Sequence, residues 1–143
     1  VAVAKATGQA EDPRTRQLVA EAIVQQIVGR HLMHRVTQAM AAGTMAPPAG
    51  SLLKLFSATA VMRRCEIGLE LAGPGAAVWP VGDDGPARGI GQHSLWRQGL
   101  SLGGGSNEIQ RNIISERLLG MPREFAADRD VPYRDVKRGG SRV

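Results

Sequence analysis

Between Asp12 and Ala42 the apolar residues Val19, Ile23, Ile27, Leu32, Val36 and Met40 recur at spacings of mostly four. Steps of three and four keep side chains on one face of a helix, so the pattern predicts a single helix of about thirty residues. Arg14, Arg16, Glu21, Arg30 and Arg35 fall largely off that stripe. Asp12 and Pro13 supply an N-cap and a first-turn proline, while Gly43 and then Pro47-Pro48 stop the helix. A second helix is predicted from about Ser51 to Leu71, with Leu52, Leu55, Phe56, Thr59, Met62 and Ile67 in its stripe. Leu53, Ala60 and Leu69 widen the arc, and a helix apolar around so much of its circumference is buried on more than one side.

Gly73-Pro74-Gly75 ends this second helix. The following VWPVGDDGPARGIG is rich in glycine and proline and reads as a loop, with Asp83 and Asp84 as solvated turn residues. QHSLWRQGL, Gln92 to Leu100, predicts a short helix with Leu95 and Trp96 turned inward. A last helix begins at Ser106 or Asn107. Asn107 and Gln110 have capping-box spacing, and Glu108 places a carboxylate in the positive first turn. Ile109, Ile113, Ile114 and Leu118 make its stripe, and Gly120 and Pro122 stop it. Residues 125–143 are charged and glycine-rich and read as a loosely held tail behind a bundle of residues 1–124.

With no period-two alternation and no internal repeat, the expectation is an all-α, up-down helical bundle of three long helices plus a short one. Three long helices leave the apolar second helix incompletely covered, so a missing helix or a partner subunit is expected over it.

Composition narrows this picture. Only 3% of the residues are aromatic against 43% hydrophobic, a core of small and aliphatic side chains suited to close helix packing. No run approaches the roughly 18 apolar residues of a membrane span, and VAVAKATGQAEDP lacks the pattern of a signal peptide. The absence of an initiator Met suggests a fragment or a processed chain. The net charge of +5 is spread along the chain except in YRDVKRGGSRV, and with few aromatics to stack bases it gives no case for nucleic acid. An anionic ligand or an acidic partner accounts for it equally well. Cys65, the single cysteine, lies in an apolar helical pattern and reads as a buried structural thiol, in keeping with a reducing cytoplasm. His31, His34 and His93 have no carboxylate or cysteine at ligand spacing, so no metal is expected.

The stretch SNEIQRNIISERLLGMPRE closely resembles the C-terminal signature of the acyl-CoA dehydrogenases, flavoenzymes that oxidise acyl-CoA thioesters. The helix opened by DPRTRQ and the segment GSLLKLFSATAVMRRCEIGLELAG agree in order and kind, so the resemblance runs from about Asp12 to Glu124. It implies the C-terminal helical bundle of such an enzyme, incomplete at its start because it begins after the bundle's first helix, and without the preceding domains that hold most of the FAD and acyl-CoA. Family members are usually tetramers with these bundles at the centre, so a homo- or hetero-tetramer is implied, with electron-transfer flavoprotein or a similar electron acceptor.

The family reaction takes the α-proton of the thioester with a carboxylate while flavin accepts a hydride. Many members keep that glutamate just ahead of the signature helix. Aligning on Ile109-Gln110-Arg111 puts Gly104 there, and glycine cannot take a proton. Glu108 reads most simply as a capping residue, and Glu116 lies about two turns into the helix. The base therefore belongs to a preceding helix, as in some branches, or has been lost, as in a subunit of a heteromeric assembly such as those of certain steroid-degrading relatives. FAD contacts carry over to Gly105, Ser106, Asn107 and Glu108, where a helix N-terminus suits a pyrophosphate or ring carbonyl. By themselves, without the resemblance, these residues read rather as a plain glycine loop leading into a capped helix. A second FAD contact, made in the family from a neighbouring subunit, aligns with Glu70, Gly73 and Pro74, where Glu70 replaces a glutamine and opposes a pyrophosphate. Arg111 and Arg117 with Glu116 read as ion pairs of the bundle or its interface.

Overall fold

The structure is a computed structural model that describes residues 1–78, 86–123, 125–126, 128 and 130–136. Its elements are α1 (Ala2–Ala6), α2 (Pro13–Ala41), α3 (Gly50–Ala72), α4 (Pro86–Leu102) and α5 (Asn107–Ile113), the last running on as one π-turn over Ile114–Leu118. Short 3₁₀ turns occupy Pro47–Ala49 and Gly73–Ala76, and no strand occurs among the described residues. The chain is an all-helical bundle, with the three long helices packed together as the sequence predicts. α3 is the hub: α1, α2, α4 and α5 all pack against it.

α2 starts where Asp12 places it, its carboxylate accepting from the Thr15 backbone N–H at 2.6 Å with Pro13 in the first turn. The residues it turns toward α3 are Thr15, Leu18, Ala22, Gln25, Gly29, Leu32 and Val36, alternating steps of three and four. That is the seam of near-parallel helices. The predicted stripe of fours fails here for a geometric reason. Each four-residue step advances by about 400° and drifts about 40° around the axis, so the run from Val19 carries Ile23 and Ile27 off the seam. Ile23 and Ile27 end up exposed at 43% and 38%. The seam is closed by a two-pronged ion pair, Arg63 to Glu21 at 2.7 and 2.9 Å, with Glu66 on the third guanidinium nitrogen at 3.3 Å. Leu18, Ile67 and Leu71 form the core cluster, with Val3, Val19 and Ala22 against it.

The lead-in before Asp12 is not plain coil. It forms α1, buries Ala4, and is tied to the end of α3 by the Gln9 amide donating to the Leu71 carbonyl at 3.3 Å. Nor does α3 lack cover. Its buried residues (Ser51, Ala58, Ala60, Cys65, Ile67, Leu71 and Ala72) point several ways, and none of its large apolar side chains is among the exposed ones. The stripe read from the sequence is shifted, with Thr59 exposed and bonding back to the Leu55 carbonyl.

The largest correction concerns α4. Helix begins at Pro86, so residues 86–91 of the expected loop are helical, and the element runs to Leu102. Residues 79–85, with Asp83 and Asp84, lie outside the described residues. α4 meets α3 with its small and polar face: Gly91, Ser94 and Ser101 are buried, and the Ser101 hydroxyl contacts the Met62 sulfur at 2.9 Å. Ile90 seats over Gly68, whose missing Cβ would lie 3.1 Å from it. Leu95 and Trp96, predicted to turn inward, are 67% and 79% exposed.

Candidate functional site

Gly103-Gly104-Gly105 closes the bundle between α4 and α5. Gly103 continues the helical bonding with its N–H on the Gly99 carbonyl at 2.8 Å, then Gly104 and Gly105 take φ of +70° and +96°. Both angles lie in the left-handed region that favours glycine. At Gly105 space imposes the same choice, because a Cβ would fall 2.7 Å from the Gln110 amide nitrogen. That amide donates to the Gly104 carbonyl at 3.0 Å and reaches the Gly105 carbonyl at 3.4 Å, and Gln110 is 5% exposed. The loop is thus clamped from beneath by a side chain of the helix it introduces.

The expected capping box is therefore not made. Ser106 is the N-cap, its hydroxyl accepting from the Ile109 N–H at 3.4 Å, and Asn107 is the first helical residue. Gln110 is spent on the loop instead. Ile109, expected in the buried stripe, is half exposed, while Ile113, Ile114 and Leu118 are partly buried. The helix widens into its π-turn and ends at Gly120, φ +67°.

The two carboxylates nearest the junction in sequence both have other occupations. Glu108 folds back over the helix start, and hydrogen bonds from its own backbone N–H and the Ser106 hydroxyl hold its pKa below the ordinary carboxylate value. Glu116 pairs with Arg123 at 2.8 Å rather than with Arg111 or Arg117. Gly104 faces Lys54: a Cβ there would meet the Lys54 Cε at 3.8 Å, and the Lys54 ammonium donates to the Leu100 carbonyl. Nothing in the sequence around residue 54 signals this neighbour.

The second group of predicted contacts sits elsewhere. Glu70 is at the far end of α3, followed by Gly73 (φ +58°) and Pro74 in the 3₁₀ turn. From Lys54 to Glu70 α3 rises roughly 24 Å, so one chain holds the two candidate groups at opposite ends of its central helix. The carboxylate that set Glu70 against a pyrophosphate is neutralised, since Arg14 donates to it at 3.2 Å. A Cβ on Gly73 would meet nothing within 4 Å, leaving that turn open to a ligand.

The two ends differ in what they can hold. The Asn107 side-chain oxygen is buried with no hydrogen-bond partner, and the Glu108 carboxylate lies over the same helix start. Two acceptors there suit a ligand part that brings hydroxyl or N–H donors, such as a ribityl chain or a ring imide, and repel a phosphate. The α3 end, with the Arg14 guanidinium beside an open glycine turn, suits an anionic part better. The residues present fit FAD when its uncharged part is at α5 and its phosphates are elsewhere.

Cys65 is 8% exposed, and burial raises its thiol pKa despite the Arg97 charge nearby. With Arg64, Gly68, Ile90 and His93 it lines an open groove of about 470 Å³ between α3 and α4. No group of three or more His, Cys, Asp or Glu side chains placed to hold a metal ion occurs among the described residues. No helix among them is long and apolar enough to cross a membrane.

Residues 1–119 match the family described as acyl-CoA dehydrogenase, C-terminal domain. The chain is similar to the acyl-CoA dehydrogenase IpdE1 of Mycolicibacterium smegmatis, 35% identical over 127 residues. It is also similar to IpdE1 of Mycobacterium tuberculosis, 31% identical over 126 residues. Each match covers 87% of this chain but only 30% and 31% of the relative's length. No solved structure matches the chain.

Proposed function

The chain belongs to the acyl-CoA dehydrogenase family as its C-terminal helical domain, and we propose that it is the FAD-binding and oligomerisation part of a flavin-dependent dehydrogenase acting on an acyl-CoA thioester. The observation that carries this reading is the junction between α4 and α5, where the family's signature helix is present with its glycine loop clamped and its Ser106 cap made. FAD supplies the acceptor for the substrate's β-hydrogen in this chemistry. This chain's own part is to hold it. Gly105, Ser106, Asn107 and Glu108 offer acceptors to its uncharged part, while Glu70, Gly73 and Pro74 of a neighbouring subunit, with Arg14 beside them, receive an anionic part. The roughly 24 Å between the two groups supports their division between subunits of a homo- or hetero-tetramer. Electron-transfer flavoprotein or a similar carrier takes the electrons onward. The single buried thiol supports a cytoplasmic setting.

The base lies on a helix preceding this chain or is missing from the protein. At φ +70° a glutamate in place of Gly104 would be strained as well as set against Lys54. That conformation supports a second reading, a non-catalytic subunit of a heteromeric dehydrogenase.

The test is anaerobic bleaching of bound flavin in the full-length protein, with acyl-CoAs of different chain length and branching. Yellow protein bleached by one of them is expected. Colourless protein after refolding with excess FAD would overturn the flavoprotein reading. Yellow protein that bleaches only after a second subunit is added selects the non-catalytic subunit. The isolated domain should bind FAD weakly or not at all, and a yellow domain after gel filtration would contradict that.

A further inference from the structure

Gln110 is the buried residue of α5, 5% exposed, while its neighbour Ile109 is half exposed. Burying an amide costs free energy unless its hydrogen bonds are made, so an inward glutamine beside an outward isoleucine calls for a reason. Its Nε2 donates to the Gly104 carbonyl at 3.0 Å and reaches the Gly105 carbonyl at 3.4 Å. Gly104 is exposed, so water would serve its carbonyl equally well if it turned outward. What the amide fixes is direction. A peptide unit is planar and trans, so its C=O and N–H point to opposite sides. With both carbonyls drawn toward Gln110, the N–H groups of Gly105 and Ser106 point away from it, and neither has a partner among the described residues. Two glycines in succession carry no Cβ to oppose rotation of the peptide between them, so without the amide the loop would sample both directions.

We propose that Gln110 is a positioning residue for the cofactor held at this junction. It touches the loop, not the ligand, and keeps two adjacent backbone donors turned outward before the ligand arrives. Donors fixed in advance lose less freedom on binding than donors that must first be oriented. Beside them the Asn107 Oδ1 is buried without a partner, so the junction offers donors and an acceptor together. That set matches a hydroxyl or an imide, each of which both gives and takes hydrogen bonds, and not an ionised diphosphate, which only takes them. Gly105 completes the arrangement: a Cβ there would lie 2.7 Å from Nε2, so the amide reaches the loop carbonyls only past a glycine.

This role rests on the flavoprotein reading, and the unsubstituted protein is the control that separates the two. FAD is titrated into the full-length apoprotein and followed by flavin fluorescence, at pH values where circular dichroism shows each variant folded. Gln110→Met keeps the length of the side chain but removes the donor, and should raise the Kd for FAD about tenfold. Gln110→Glu cannot donate as a carboxylate but can donate one O–H once protonated. Facing two carbonyls in a buried position raises its pKa, so its affinity should be weak at about pH 8 and recover most of the loss by about pH 6. The unsubstituted protein and Gln110→Met should show no such recovery; Lys54, Glu108 and Arg111 nearby are common to all three. A residue that merely fills space would give no pH-dependent rescue. A Kd for Gln110→Met within twofold of the control would overturn the proposal, and so would a Gln110→Glu protein equally weak at both pH values. An unsubstituted protein that takes up no FAD would overturn the flavoprotein reading and this role with it.

Discussion

α2 and α4 pack on the same central helix in opposite senses. α2 turns Leu18, Ala22 and Leu32 toward α3 and locks the seam with the Arg63–Glu21 pair, whereas α4 offers Gly91, Ser94 and Ser101 with Ile90 over Gly68 and keeps Leu95, Trp96 and Leu102 outside. The first contact draws its stability from apolar burial, the second from closeness of backbones and satisfied hydroxyls. One helix is held by the core. The other is held close to the core while leaving its large side chains at the surface.

If that contrast is right, core truncation on the α2 side should dominate. Leu18→Ala, at a residue 2% exposed, should cost about 3 kcal/mol in urea denaturation of the dilute chain, while Leu95→Ala should stay within about 0.5 kcal/mol. Equal costs would erase the distinction. The loop that ties α4 to α5 should come next, with Gly105→Ala losing about 2 kcal/mol through its φ of +96° and its collision with Gln110. Truncating Gln110 to Ala in the same chain should relieve the collision but not the dihedral strain, which a double-mutant cycle would separate. Ser94→Ala should cost about 1 kcal/mol by removing a buried hydroxyl that the Arg97 guanidinium contacts at 2.6 Å, and a neutral result would mean that α4 is held by backbone closeness alone.

Acid should produce the smallest effect, and part of it should come from the α2 side. The Arg63 guanidinium beside Glu21, and the Thr15 N–H bonded to Asp12, hold both carboxyl pKa values below their ordinary values. A folded pKa below the unfolded one gives stability that is present above about pH 4 and is lost as pH falls through the folded value. Both groups are solvent-accessible, so the loss is modest. Glu21→Gln should flatten the dependence of the urea midpoint on pH below about 4. A slope unchanged by that substitution would remove Glu21 from the seam's energetics.

Much of the fold could be read before any coordinates. Asp12-Pro13 start α2 and Gly73-Pro74 end α3 as read, because caps and breakers act through their own backbone. The family resemblance was carried by a contiguous stretch and needed no tertiary information. Less of the candidate site was visible. The Gly104–Gly105 turn was marked by its glycines, but its clamp was misassigned, since Gln110 at capping-box spacing has two possible backbone targets and only packing chooses between them. Arg14 beside Glu70 and Lys54 beside Gly104 join residues 56 and 50 positions apart, and no local pattern reports such pairs.

By itself the sequence determined that this is an all-helical bundle of the acyl-CoA dehydrogenase family, where its first helices cap and stop, and that the usual position of the base holds a glycine. Those features depend on residue type and near spacing. Tertiary structure alone decided which face of each helix is inward. An apolar residue lowers its free energy against any apolar surface, whether in its own chain or a neighbour's, so periodicity marks a face for burial without naming what buries it. On α2 the face turned toward α3 belongs to this chain's own core. On α4 it is the opposite, small-residue face that turns inward, and Leu95, Trp96 and Leu102 are left outside.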